Sequence, residues 1–488
     1  YQLDVNGVAY VRSGLLAAGT GINLGSTTWS LLDYYYNLAN SGRMLVGWNY
    51  SNGGGETDLI INRDGGGTGG LCIYDYPNSS GSLKLLFQIK GDGTVPTLQY
   101  VTPQMYGAAG DGTTDDTTAL TNALNSGYPV YLYGSFKITS AITITLSAGS
   151  GLKVEGAGQQ KSQILLSGTS TNIKINIAYS SNNVGGNAQV VLRDFSFVAL
   201  TAGSGTDING GPPVGMLNLI ATPMPSGGFI GKDAENVYMD NVSFLSDGTG
   251  WYYVGMYLQD LRYSTFTQVN VKCAGGTSGA GGVSNSACIV FKTTNTSGSG
   301  VGNVPTALVF DKTFTSGGDF GILFQPSGYS GTSYSMDPQG VWIINSAIIG
   351  NITASISLTA TDADNNEWHI LNNTFDSVTY GVYLNGTGEP RVRGNTIGVS
   401  TNSSGAYGIY YTFNASSSVN NYSSGNMMQN SFHGAGNTTA IGGTANKGTG
   451  IQLATMWVAF NSSSNCGGGV AGSAYTISGT AISASNNG

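Results

Sequence analysis

Between residue 130 and about residue 450, two short patterns of apolar and polar positions alternate along the chain. One reads Gly-apolar-x-apolar, as in Gly255-Met256-Tyr257-Leu258, Gly321-Ile322-Leu323-Phe324, Gly381-Val382-Tyr383-Leu384 and Gly408-Ile409-Tyr410-Tyr411. The other sets Asn or Asp just before an aromatic residue or Ile. It occurs at Asp194-Phe195-Ser196-Phe197, Asn241-Val242-Ser243-Phe244, Asn345-Ser346-Ala347-Ile348, Asn373-Thr374-Phe375, Asn395-Thr396-Ile397 and Asn430-Ser431-Phe432. Adjacent repeats lie about 22 to 50 residues apart, so some carry insertions. The alternation predicts a β-solenoid in which each coil supplies two or three short strands. The apolar residue after the Asn is expected to point inward and stack on its counterpart in the next coil. The Asn is expected at the turn, where it tolerates a left-handed backbone and bonds to the neighbouring coil. Asn241, Asn373, Asn395 and Asn430 are read as such a ladder.

Ahead of the repeats the spacing becomes helical. Ala119, Leu120, Ala123 and Leu124 share one face, Thr114 or Asp115 is a good N-cap, and Gly127 and Pro129 stop the helix. A helix over about 115–126 would cover the open first coil, whose core and strand edges would otherwise be exposed. Asp111, Asp115 and Asp116 are then capping and turn residues rather than catalytic ones. Residues 1–98 read as a separate β-rich module of short runs between Gly- and Asn-rich turns. Its Trp29, Tyr34, Tyr35, Tyr36 and Trp48 suit packing better than a binding platform. Residues 99–450 form the solenoid, and 451–488 break the repeat as a C-terminal β-module.

Composition narrows the function classes. Charged residues are 9% of the chain, hydrophobic residues 40%, and Gly numbers 76. The surface is therefore hydroxyl- and amide-rich over a real core. Lys plus Arg total 18 against 26 acids, a net charge of −8, and no basic stripe argues for nucleic acid. No apolar run is long enough to insert in a membrane, and there is no signal-peptide pattern. The chain starts at Tyr1 rather than Met, which suggests processing or a fragment. Cys72, Cys273, Cys288 and Cys466 show no CxxC spacing. Cys273 and Cys288 could pair if oxidised, but free buried thiols are expected.

The stretch from Val101 to Thr117, with Pro129 to Ile138, resembles the opening segment of the pectate-lyase-like right-handed β-helix superfamily. Tyr133 stands where that family usually has Pro. Leu3-Asp4-Val5-Asn6-Gly7, Asp58-Leu59-Ile60-Ile61-Asn62-Arg63 and Phe87-Gln88-Ile89-Lys90-Gly91-Asp92-Gly93 resemble modules of bacteriophage tail fibres and tailspikes. Ala454-Thr455-Met456-Trp457-Val458-Ala459-Phe460-Asn461 resembles the start of a C-terminal fibre module, and the chain ends near Asn486-Asn487-Gly488 as if that module were incomplete. These resemblances imply an all-β, right-handed parallel β-helix that forms a homotrimer in the virion, outside the cell. They imply partners among other phage tail proteins and a bacterial surface polysaccharide that is recognised and depolymerised. A non-catalytic adhesive fibre and a secreted bacterial polysaccharide lyase or hydrolase are the alternatives.

Hydrolysis of a glycan needs an acid and a base or nucleophile flanking the bond; elimination needs a base and a cation, with Ca²⁺ as the cofactor only if the protein is a lyase. The densest cluster is Asp362-Ala363-Asp364-Asn365-Asn366-Glu367-Trp368-His369. A second joins Asp247, Trp251, Tyr252 and Tyr253 with Asp260 and Arg262, and a third joins Asp233, Glu235 and Asp240. Glu367, Asp364, Asp260 and Asp247 are the catalytic candidates. Trp251, Tyr252, Trp368, His369 and Arg262 are the substrate-binding candidates. Neighbouring coils could bring Asp260 and Glu367 to one face, though acids in Gly/Ser-rich loops also serve as plain turn residues.

Overall fold

The computed structural model describes residues 44–48, 57–61, 70–75, 84–90, 100–178, 188–209, 214–221, 237–273, 283–292, 306–325, 339–359, 367–385, 389–400, 405–414, 423–434, 439–446, 454–459, 461–464, 475–478 and 482–484. The chain divides into two compact units, Tyr1–Gln99 and Tyr100–Gly488. In the first, Met44–Trp48 pairs antiparallel with Thr57–Ile61, and Gly70–Asp75 pairs antiparallel with Lys84–Lys90.

The second unit is a right-handed parallel β-helix with three strand rows. The first row climbs through Gly151–Gly156, Arg262–Thr267, Thr306–Asp311, Gln339–Ile344, Glu367–Leu371, Glu389–Arg393 and Ser423–Met428. The second climbs through Ser162–Leu166, Asn270–Lys272, Phe314–Ser316, Ala347–Asn351, Thr374–Ser377, Thr396–Val399 and Ser431–Gly434. Gln189–Ala199 and Val237–Ser246 run through both rows, which fuses them into one 22-stranded sheet among the described residues. The third row is an 11-stranded sheet from Ile142–Leu146 to Tyr475–Ser478. Inward positions stack like on like. Leu192, Met239, Phe266, Phe310, Ile343, Ile370, Val392 and Met427 form one column, each buried. The rings of Phe266 and Phe310 stack at 4.7 Å and 4°. Each such side chain contributes about 1.5–3 kcal/mol by leaving water.

The corner between the first two rows explains the Asn pattern and divides it in two. Asp194, Asn241, Gln268, Lys312, Asn345, Asn372, Gly394 and Gln429 occupy the turn in successive coils, all with φ between 52° and 70°. Asn and Asp adopt this left-handed region at little cost, and Gly at none. The next position points inward. It is apolar in the early coils, at Phe195, Val242 and Val269, and then becomes Thr313, Ser346, Asn373, Asn395, Asn430 and Asn461, all buried. Asn373, Asn395 and Asn430 thus form an interior ladder. Asn241 and Asn345 belong to the corner instead, one residue out of phase. Asn241 donates to Asp194 Oδ1 at 2.6 Å across the outside of the bend.

Other expectations shift. The helix covers Thr117–Leu124 with Asp116 at its N-cap, and Ala119, Leu120, Ala123 and Leu124 are buried as expected. Asp111–Asp115 is a short strand instead of a helical start, because Asp115 Oδ1 takes the Thr117 N–H at 3.0 Å and ends the extended run. Asp116 is 2% exposed; its carboxylate accepts the Ala109 and Gly110 N–H groups at 2.7 and 3.0 Å, tying the segment before the strand to the helix. Cys273 and Cys288 are joined as a disulfide, with Cα atoms 5.2 Å apart, where free thiols were expected. Cys273 follows a second-row strand and Cys288 lies on a third-row strand, and both side chains are buried in the core. The C-terminal segment does not leave the solenoid at 451: Ala454–Ala459 pairs in parallel with Ser423–Met428, and Ile482–Ala484 continues that row. The ladder needs only backbone groups, so it persists where the side-chain pattern fades.

Candidate functional site

The predicted site residues do not converge. Asp247 is exposed, and its Oδ1 accepts the Thr249 N–H, the Thr249 hydroxyl and the Gly250 N–H at 2.8, 2.8 and 2.7 Å. Those bonds, the Gly250 N–H foremost, hold the carboxyl below its ordinary range. It is a turn acid kept ionised, ill suited to donate a proton. Asp260 is fully buried at a bend with φ 54°. A glycan cannot reach it there, and three strand steps separate its coil from that of Glu367, roughly 14 Å. The proposed pairing of these two acids is corrected on that ground. Asp364, with Asp362, Asp233 and Glu235, lies outside the described residues. Glu367 opens its strand in register with Glu389; its side chain lies outside the described residues.

The binding candidates divide by strand parity. Trp368 points inward and is 1% exposed, edge-on to Phe324 at 6.4 Å, so it packs the core and offers no ring to a ligand. Tyr252 is likewise buried; its hydroxyl donates to the Thr171 carbonyl, and burial pushes the phenol far up. Trp251 is half-buried, edge-on to Tyr253 at 5.0 Å. Arg262 is half-buried on its strand. Asp240 pairs with Arg193 at 3.4 Å. His369 lies on the outer side of its strand, although its own side chain is only 4% exposed.

That surface is the outside of the first row. Trp342, His369 and Arg391 are in register on three successive strands. The indole and imidazole rings stack with centroids 3.7 Å apart at 2°; Trp342 is 37% exposed and His369 is covered. Arg391 and Arg393 flank inward Val392 and both project to solvent. Arg393 Nε donates to Gln429 Oε1 at 2.8 Å, which fixes the plane of its guanidinium. The sequence clue was His369 itself. Its partners are 27 and 22 residues away, so no local motif could join them. Around the corner, on the second row, Asp376 stands on the outer face. Partial shielding pushes its carboxyl above the ordinary range. On the third row Tyr380, Tyr383, Tyr407 and Tyr410 form a half-buried quartet, Tyr383 and Tyr410 stacking at 5.2 Å and 8°. Tyr380 and Tyr407 stack at 6.0 Å and 2°, and the two stacks meet edge to face.

No family model matches the chain. Over 111 residues it is 32% identical to the pre-neck appendage proteins of Bacillus phages PZA and phi29. The match covers 22% of this chain, which spans 12% of the length of those relatives. Among solved structures, the A-module of the Azotobacter vinelandii mannuronan C-5 epimerase AlgE6 aligns with 80% of this chain and 100% of its own, at 13% identity and TM-score 0.46. Pre-mature gene product 12 of bacteriophage phi29 aligns with 79% of this chain and 55% of its own, at 17% identity and TM-score 0.38. Tailspike protein 3 of bacteriophage CBA120 aligns with 76% and 62%, at 15% identity and TM-score 0.40. The parallel ladders described above, independent of these likenesses, define the fold. The chain is built on a right-handed parallel β-helix and is similar, over about a fifth of its length, to the pre-neck appendage proteins of Bacillus phages.

Proposed function

We propose that this protein is a virion component that recognises a bacterial surface polysaccharide, as a homotrimer attached to other tail proteins. The observation that supports this most is the outer face Trp342–His369–Arg391 with Arg393. The exposed Trp342 ring, backed by the buried His369 and set on the same face as two guanidinium groups, offers apolar contact to sugar rings and directed N–H donors to their oxygens. A rigid sheet holds these groups in place without ordering a loop on binding, which lowers the entropic cost of association. The low charge and abundant hydroxyl and amide groups suit a hydrated partner.

The test is adsorption of the purified chain to host cells before and after removal of capsule and lipopolysaccharide O-chains. Binding that disappears with the glycan supports recognition; binding that survives its complete removal rejects it. Cleavage of the bound glycan is a second reading, favoured by the raised carboxyl of Asp376. New reducing ends would mark cleavage, and added ultraviolet absorbance from unsaturated uronates would distinguish elimination from hydrolysis.

A further inference from the structure

We infer that the outer face of the third row is where copies of this chain meet, with Tyr380, Tyr383, Tyr407 and Tyr410 at the centre of the contact. This rests on the homotrimer proposed above and deepens it by naming the surface. Two columns run up that face in register, one from Val254 to Tyr407 and the other from Tyr257 to Tyr410. A glycine sets them in the quartet. Gly381 and Gly408 turn inward, where a Cβ would collide with Ile397 or Phe432 of the second row. The next residue, Val382 or Ile409, is also inward and fully buried. With two consecutive inward positions, Tyr380 and Tyr383 both fall outside, and their rings meet edge to face at 5.0 Å. In earlier coils the same columns are already covered. Val254, Ala287 and Val290 point outward yet have no exposed surface, and Ile208 and Tyr253 of this chain pack against their cluster. At the quartet the columns are only half-buried.

Charge selects the occupant. The chain carries a net charge of −8, so its copies repel unless they approach through neutral surface. From Phe320–Gln325 to Tyr475–Ser478, the six third-row strands hold no charged residue. Over the same coils the first row holds Glu367, Glu389, Arg391 and Arg393, and the second holds Asp376. Interface cores are depleted in charge and enriched in Tyr, which brings area together with a hydroxyl that donates or accepts. Burial already holds the Tyr380 and Tyr383 phenols above their ordinary range, so they stay neutral. The 11-stranded third row gives a face roughly 50 Å long. Rotation about an axis parallel to the solenoid leaves every residue at its own height. A cyclic trimer therefore sets each quartet against the quartets of the other two copies.

Sedimentation equilibrium reads the mass of the full chain as parent, as the double variant Tyr383→Asp with Tyr410→Asp, and as Thr396→Asp, which lies on the exposed outer face of the second row. Parent and Thr396→Asp should have three times the mass of one chain. The double variant should have one third of the parent's mass, with the circular dichroism of the β-helix unchanged. A photo-cross-linking residue, p-benzoylphenylalanine, in place of Tyr383 tests the same face in the intact assembly, whatever the two aspartates do to folding. Irradiation should link two and three chains from position 383 and none from position 396. A trimer that survives both aspartates, gives no link from 383 or links equally from 396 overturns the assignment and leaves the homotrimer standing. A parent of single-chain mass overturns the homotrimer reading and the assignment with it.

Discussion

A single side-chain oxygen of Asn395 accepts both the backbone N–H and the side-chain N–H of Asn373, at 2.9 and 3.0 Å. Asn395 repeats the arrangement on Asn430 at 3.2 and 2.9 Å, and Asn430 repeats it on Asn461 at 3.0 and 3.1 Å. Each amide also donates to a carbonyl of an earlier coil, Asn395 to Ile370 at 2.9 Å. All four are buried, so every bond is made where water cannot replace it.

Removing one rung should therefore cost more than an average hydrogen bond. Asn395→Ala strands donors on Asn373 and an acceptor at Ile370, each worth about 1–3 kcal/mol when left unmade in the interior. Hydrogen exchange should rise locally across 370–395 before global unfolding. Protection there equal to that of the parent would show that the ladder carries little of the coil's stability.

Trp342 and Trp368 should respond oppositely. Trp368→Ala should lose about 3–5 kcal/mol of stability, because it empties a core position. Trp342→Ala should change stability by about 0.5 kcal/mol or less and weaken glycan binding. Thermal melts and binding isotherms on the two variants separate the roles, and a destabilised Trp342→Ala would count against an outer platform.

Arg391→Gln and Arg393→Gln should weaken binding without altering the fold. For a glycan that carries carboxylates, the loss should be steep at low salt and shrink as ionic strength rises, because exposed charges are screened. Titrations at two salt concentrations check this; a salt-independent loss would point to neutral hydrogen bonding.

Acid should loosen the first coils. Asp111 and Asp115 sit below their ordinary range, Asp111 chiefly through the Thr114 N–H and Asp115 chiefly through the Thr117 hydroxyl. A depressed carboxyl contributes stability that is present above its unfolded value, about 3.9, and is lost as pH falls towards the folded one. Asp376 has the opposite sign: its raised carboxyl favours folding below the unfolded value, a contribution lost as pH rises through the folded one. Asp111→Asn should flatten the acid limb of a pH–stability curve, and an unchanged limb would refute this account.

Cys273 and Cys288 close a loop with a sequence separation of 15. Alkylation without reductant, followed by digestion, should recover the two cysteines as one linked peptide. On chain-entropy grounds, Cys288→Ser should cost about 3 kcal/mol. Two singly alkylated peptides from unreduced protein would show that the bond does not form.

Some of this was legible in sequence because it depends on local physics. Strand parity follows from alternation, so the inward Phe375, Ile397 and Phe432 could be read directly, as could the buried face of the Ala119–Leu124 helix. Asp111 and Asp115 announced their turns because a short carboxylate bonds its own neighbouring N–H groups. Phase between coils was another matter. Coil lengths vary, so Asn345 and Asn373 carry the same wording yet stand in different columns, and Trp368 and His369 fall on opposite sides of one sheet.

What the sequence determined by itself was the repeating strand unit and its apolar interior, since alternation and turn chemistry act over a few residues. What only the tertiary structure decided was which residues share a column: Trp342 on His369, Arg391 beyond them, Asp376 and His433 across Gly398. Those pairings are made by backbone ladders between segments 22 to 35 residues apart. Because insertions of different length change the count without changing the ladder, register is set by three-dimensional stacking and not by spacing along the chain.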